Sequence, residues 1–114
     1  MARLNRIALL VVVTSVLMCI LAEELELYPS ELDDIDVVKI LENDAERKGE
    51  LNCYLKREPC AEEFNKYTEI FREAVRTNCK RCTEKQKEHL ETITNWYKKN
   101  QPDNWELILE NVNL

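Results

Sequence analysis

The feature that most constrains this chain is a cysteine spacing, C-x6-C-x18-C-x2-C, formed by Cys53, Cys60, Cys79 and Cys82. Such a set reads as a disulfide framework only if the thiols meet an oxidising compartment, so the N-terminus decides its meaning. Met1 to Arg6 carries Arg3 and Arg6 and no acid. Ile7 to Leu21 is apolar apart from Thr14 and Ser15, and Glu23 and Glu24 follow Ala22 directly. This is the charged, apolar and small-residue order of a secretory signal peptide. Cleavage is expected after Ala22, removing residues 1–22. The apolar run is shorter than the roughly 20 residues needed to span a bilayer, so no stable membrane insertion is expected after cleavage. Cys19 leaves with the leader, and the remaining cysteines are even in number.

The expected secreted domain, residues 23–114, is long enough for one modest core. The whole chain has 16 Lys and Arg against 22 Asp and Glu. The leader carries two of the bases, so the remainder has 14 against 22, a net charge of −8. That excess of acid excludes nucleic acid as a partner, because phosphates require a basic face. It also argues against anionic membranes and suits a soluble extracellular protein. One glycine and three prolines supply too few turn residues for a β-sandwich.

Apolar periodicity predicts helices throughout. The first is expected from about Asp33 to Asn43, capped by Asp33 or Asp34, with Ile35, Val38 and Leu41 on one face. The second covers about Ala45 to Lys56 and ends before Arg57-Glu58-Pro59. The third, about Ala61 to Thr77, carries Phe64, Tyr67, Phe71, Ala74 and Val75 at steps of three and four. Thr83 and Gln86 form a capping box opening the fourth, which runs to about Asn100. Pro102 opens the fifth, to about Asn111, with Asp103 in its first turn. The fold class expected is all-α, a compact bundle of five to six short helices with two local disulfides.

Four cysteines allow three pairings. Cys53–Cys60 would clamp the junction of helices two and three, and Cys79–Cys82 that of three and four. Rings this small contribute only about 2 to 2.5 kcal/mol each. Crossed pairings would stabilise more but require distant helix ends to meet. Two chemical readings compete. Cys79-Lys80-Arg81-Cys82 has the form of a redox C-x-x-C, yet no βαβ pattern surrounds it. Four thiolates could hold zinc, but a C-x6-C is not a standard zinc knuckle. His89, the one histidine, is expected on the exposed or flanking side of helix four. No G-x-S-x-G, phosphate loop or His–Asp couple is present. No catalytic residue, metal or cofactor is therefore assigned, and the carboxylates read as a solvated face paired with lysines.

The same spacing, taken with Asp34-Ile35-Asp36-Val37, Leu51-Asn52-Cys53, Pro59-Cys60, Glu73-Ala74, Asn78-Cys79-Lys80-Arg81-Cys82, Thr83-Glu84-Lys85-Gln86-Lys87, Asn100, Pro102 and Trp105, resembles the insect chemosensory proteins, the OS-D-like, pheromone-binding family. The resemblance runs from about Tyr28 to Leu109. It implies a bundle of about six helices, disulfides Cys53–Cys60 and Cys79–Cys82, and a non-enzymatic carrier of small hydrophobic molecules such as fatty-acid-like lipids, pheromones or other semiochemicals. Three departures accompany it. A sixth helix after the Trp105 helix has no counterpart before Leu114, which would leave one wall of the site open. A glycine expected near Phe64 is absent. An aromatic expected in the second helix falls near Glu50.

The inward-facing set expected to touch a ligand is Ile40, Leu41, Leu51, Leu55, Tyr67, Ile70, Phe71, Val75, Leu90, Ile93, Tyr97, Trp105 and Leu109. Trp105 is the leading candidate by the resemblance, and Tyr97 adds a hydroxyl for a polar head. Trp96 is placed off the inner face. A rival reading keeps the fold and loses the cavity, giving a secreted signalling or interaction protein. An apolar channel favours the carrier, and a dry packed core favours the rival.

Overall fold

The computed structural model describes residues 26–114. The expected leader and its cleavage site lie outside those residues. A 3-10 turn, Ser30–Asp34, precedes five α-helices: α1 (Val37–Glu42), α2 (Asp44–Tyr54), α3 (Glu62–Thr77), α4 (Glu84–Asn100) and α5 (Pro102–Glu110). No strand occurs among the described residues. The disulfides are Cys53–Cys60 and Cys79–Cys82, with Cα–Cα distances of 5.5 and 5.1 Å.

Local chemistry sets the helix ends. The Thr83 hydroxyl accepts from the Gln86 N–H at 3.2 Å, and the Gln86 side chain accepts from the Thr83 N–H at 3.0 Å. This reciprocal capping box starts α4 where the sequence places it. Pro102 starts α5, where its missing N–H costs nothing. Asn78 ends α3 with φ 56°, a left-handed conformation that asparagine tolerates. The Cys79 N–H then donates to the Ala74 carbonyl at 2.8 Å, and the chain turns into the disulfide ring.

The first helix differs from expectation. It starts at Val37, and its cap is Asp36, which accepts from the Lys39 N–H at 3.1 Å. Asp33 and Asp34 belong instead to the 3-10 turn that follows Pro29, and Ile35 is extended between the two elements. The turn buries Leu32 against α4, a better use of that apolar residue than an exposed helical start.

α2 packs on α3, and α4 on α5. α1 bridges α2 and α4, and the 3-10 turn also rests on α4. Two apolar clusters result. One gathers Tyr28, Leu32, Ala74 and the Cys79–Cys82 disulfide. The other gathers Leu41, Tyr54, Tyr97, Trp105 and Ile108. Two arginines lie inside this structure. Arg72, on α3, is 2% exposed; its guanidinium donates to the Tyr54 carbonyl and Glu69 and lies 4.6 Å over the Tyr54 ring. Arg47, on α2, donates to the Leu41 carbonyl at 2.6 Å and Asp44 at 2.7 Å, and lies 4.7 Å over the Trp96 ring. Each ties two elements by charge-assisted hydrogen bonds that also satisfy a helix-terminal carbonyl.

Candidate functional site

A cavity of about 380 Å³ runs between the two clusters. That volume lies at the small end of the range of about 300–1,000 Å³ usual for small-molecule sites. Its walls come from the N-terminal segment and 3-10 turn, and from α1, α2, α3 and α4. α5 contributes no lining residue. Most of the wall is aliphatic or aromatic, because α3 and α4 turn their apolar stripes toward each other and α1 crosses one side.

Of the thirteen residues expected at the site, nine line the cavity: Ile40 and Leu41 from α1, Leu51 from α2, Tyr67, Ile70 and Phe71 from α3, and Leu90, Ile93 and Tyr97 from α4. Leu55, Val75, Trp105 and Leu109 do not. Leu55 and Val75 are half-buried within the second cluster. Trp105 is buried behind Tyr97, with ring centroids 6.2 Å apart and planes nearly parallel, so it supports the wall without forming it. Leu109 is 46% exposed. For the two on α5 the cause is that this helix packs on α4 through Trp105 and Ile108, which uses its apolar face in the second cluster and leaves Leu109 outward. Trp96, expected off the inner face, is half-buried between Arg47 and the edge of Tyr97.

The periodicity missed the N-terminal wall. Tyr28, Leu32 and Ile35 line the cavity from outside any α-helix. The Tyr28 N–H donates to the Arg81 carbonyl at 2.9 Å, its hydroxyl donates to Glu73 at 2.9 Å, and the Arg81 guanidinium lies 5.3 Å over its ring. Arg81 also donates to Glu73 at 3.1 Å and to the Glu26 carbonyl at 2.7 Å. These bonds strap the segment onto the α3–α4 junction. Burial, then the Glu73 hydrogen bond, pushes the Tyr28 hydroxyl up to about 12. Tyr28's donation, with help from Arg81, holds the Glu73 carboxyl below its ordinary value. Of the exposed and flanking positions expected for His89, the structure gives the flanking one: it is half-buried, lines the cavity, and its Nε2 lies 2.9 Å from the Asp33 carbonyl oxygen.

Polar lining side chains fall into two groups. Gln86 donates to the Pro29 carbonyl at 2.9 Å, Thr68 to the Cys53 sulfur at 3.3 Å, and Tyr54 to the Ile108 carbonyl at 2.7 Å. Those groups are occupied by the fold. Glu46, Glu50, Tyr67 and Tyr97 are not: none of these side chains makes a hydrogen bond among the described residues, and Glu46 is exposed while Tyr97 is buried. Burial, with Glu46 adding like charge, raises the Glu50 carboxyl from 4.5 to about 7. Burial also raises the Tyr97 hydroxyl to about 12, with Arg47 opposing and Glu50 reinforcing the shift.

Glu50 fixes one sign of pH dependence. Its carboxyl is raised on folding, so the folded state holds its proton at higher pH than the unfolded chain does. Stability associated with it is present below about pH 4.5 and lost as pH rises to about 7. The other charged and titratable groups lining the cavity are Tyr28, Glu46, Arg47, Tyr54, Tyr67, His89 and Tyr97, and Glu46 is the one whose charge adds to the Glu50 shift. After allowance for partial solvation the loss is on the order of 2 kcal/mol. Glu50→Gln is therefore expected to remove the fall in stability between pH 5 and 8 and to melt higher than wild type at pH 8. Thermal melts of both proteins across that window check it. Parallel wild-type and variant curves would show that Glu50 is not desolvated.

Helices around an apolar cavity, pinned at two junctions by local disulfides, define the class: an all-α bundle with a pocket among its helices. The chain belongs to the insect pheromone-binding family, A10/OS-D, whose profile matches residues 28–113. It is 30% identical over 79 residues to "Putative odorant-binding protein A10" of Drosophila melanogaster, covering 69% of this chain and 51% of that protein. It is 29% identical over 80 residues to "Allergen Tha p 1" of Thaumetopoea pityocampa, covering 70% and 64%. It is 27% identical over 78 residues to "Ejaculatory bulb-specific protein 3" of Drosophila melanogaster, covering 68% and 62%. The chain thus spans between about half and two thirds of the length of the curated relatives it matches. No solved structure gives a significant match.

Proposed function

We propose that this protein is a secreted, non-enzymatic carrier that encloses small hydrophobic molecules, of the size of lipids, pheromones or other semiochemicals, and transports them through extracellular fluid. The observation that carries the reading is the apolar cavity of about 380 Å³. A bundle evolved only for packing would fill that volume, because each unfilled methyl-sized gap costs about 1 kcal/mol. The family and the name of the A10 relative support the same reading. The pheromone-binding family supports the non-enzymatic part. No helix among the described residues is long and apolar enough to cross a membrane.

One experiment tests the reading. The full chain is expressed in insect cells, and protein is collected from the medium. Intact mass should correspond to a chain starting at Glu23 with no alkylatable thiol. Titration with diphenylhexatriene, a neutral apolar fluorophore, should give saturable binding with a micromolar Kd, or roughly −8 kcal/mol. Folded protein that leaves the dye unbound at tens of micromolar removes the carrier reading and leaves the interaction protein. Retention in the cell removes the secretion half.

A further inference from the structure

Among the polar side chains of the cavity wall, Glu50 and Tyr97 are an unpartnered pair from facing helices, near enough for the Glu50 charge to act on the Tyr97 hydroxyl. Tyr97 is 5% exposed, its hydroxyl is unpartnered, and it lines the cavity from α4. Glu50 lines the same cavity from α2, and no hydrogen bond or ion pair reaches its carboxylate among the described residues. Neither oxygen is sealed off from solvent in the way the Arg72 Nε is, so both are open to a molecule that enters the cavity. The charged neighbours decide what that molecule is. Glu46 adds a second negative charge on the same stretch of wall. Arg47, the lining residue that is always cationic, is already committed: it donates to the Leu41 carbonyl and Asp44 and lies over Trp96. No lysine lines the cavity. This end of the cavity therefore offers acceptors and negative charge, with no free cation for an anionic head.

Resting on the carrier reading, we propose that the cavity selects apolar ligands bearing a cationic, hydrogen-bond-donating head, a long-chain primary amine, and seats that head between the Glu50 carboxylate and the Tyr97 hydroxyl. An ammonium has three donors and no acceptor, so it can satisfy both oxygens at once. It also neutralises a carboxylate whose ionised form the cavity disfavours, and such attraction is stronger inside the protein than in water. A fatty acid of equal length would place its own carboxylate beside Glu50, where two like charges share a poorly solvated space. An alcohol, which can donate and accept without charge, falls between them. The acidic field of the chain acts in the same direction on approach.

Competition against bound diphenylhexatriene at pH 8 separates these cases. Dodecylamine, dodecanol and dodecanoic acid, which share one tail, are compared on wild-type protein, Glu50→Gln and Tyr97→Phe. In wild type the amine should displace the dye at least tenfold more effectively than the acid, with the alcohol intermediate. Glu50→Gln keeps the side-chain shape and should cut amine affinity about tenfold while improving the acid. Tyr97→Phe keeps the ring that Trp105 supports and should weaken the amine severalfold. Dye affinity is measured for each protein first, and amine and acid displacement are then compared as a ratio within that protein, so a change in the cavity common to both ligands cancels. Equal displacement by amine and acid in wild type, or an unchanged amine-to-acid ratio in Glu50→Gln, overturns the head-group assignment while leaving the carrier standing. Failure of the dye to bind any of the proteins removes both.

Discussion

Replacing Trp105 with alanine is expected to destabilise the protein by about 3–5 kcal/mol, the range for deleting a large buried aromatic. For a domain of this size that is a fall in melting temperature of roughly 15 °C or more. The residue is 7% exposed, stacks on Tyr97 and joins α5 to α4. Yet it does not line the cavity. At a temperature where the variant remains folded, diphenylhexatriene affinity should therefore stay within about threefold of wild type. Phe71→Ala, which cuts into the lining itself, should change dye affinity by more. Thermal melts and dye titrations on the same samples check the pair. A Trp105 variant that keeps its melting temperature but loses the dye would return Trp105 to the binding site and refute the wall-support role.

Arg72→Ala is the second large effect, with an expected loss of about 3 kcal/mol. The side chain loses packing along its stem and the stack on Tyr54, and the Tyr54 carbonyl at the end of α2 loses its donor. Its Nε is buried without a partner, so the wild-type arrangement already carries a cost, which the loss includes. Arg72→Met retains much of the stem and should recover part of the stability. Glu69→Ala, removing the exposed partner of the ion pair, should cost no more than about 1 kcal/mol. Urea midpoints at constant slope distinguish them. If Arg72→Ala costs as little as Glu69→Ala, the guanidinium contributes only a surface ion pair and the interior role assigned to it is wrong.

Helix positions were legible where a single residue carries the signal. Thr83 with Gln86 and Pro102 mark their helix starts by bonds that depend on neighbours three residues away or on none, so no tertiary knowledge is needed. The start of α1 was not legible in the same way. Asp33, Asp34 and Asp36 are all competent caps, and Leu32 docking on α4 decides among them. The cavity followed the same rule. Helical spacing identifies an inward face, and nine of its residues do line the space. It does not say whether an inward residue meets empty volume or another helix, and Val75, Trp105 and Leu55 meet another helix. Tyr28 and His89 escaped because what brings them to the wall is non-local: bonds to Arg81 and Glu73 for the one, and to the Asp33 carbonyl for the other. Arg47 and Glu50 escaped because charged residues in a helix are normally solvent-facing.

The two disulfides grip α3 at opposite ends. Cys53–Cys60 holds its N-terminal approach to the end of α2, and Cys79–Cys82 closes the turn that joins its C-terminal end to α4. A rod held near both tips cannot slide lengthwise past its neighbours, and the buried Arg72 guanidinium, bonded to the Tyr54 carbonyl at the end of α2, opposes rotation about its long axis as well. Phe64, Tyr67, Ile70, Phe71 and Ala74 all reach the cavity from that rod. One wall of the container is thus a single anchored piece, and the five side chains it presents keep their spacing along the helix whatever enters the space.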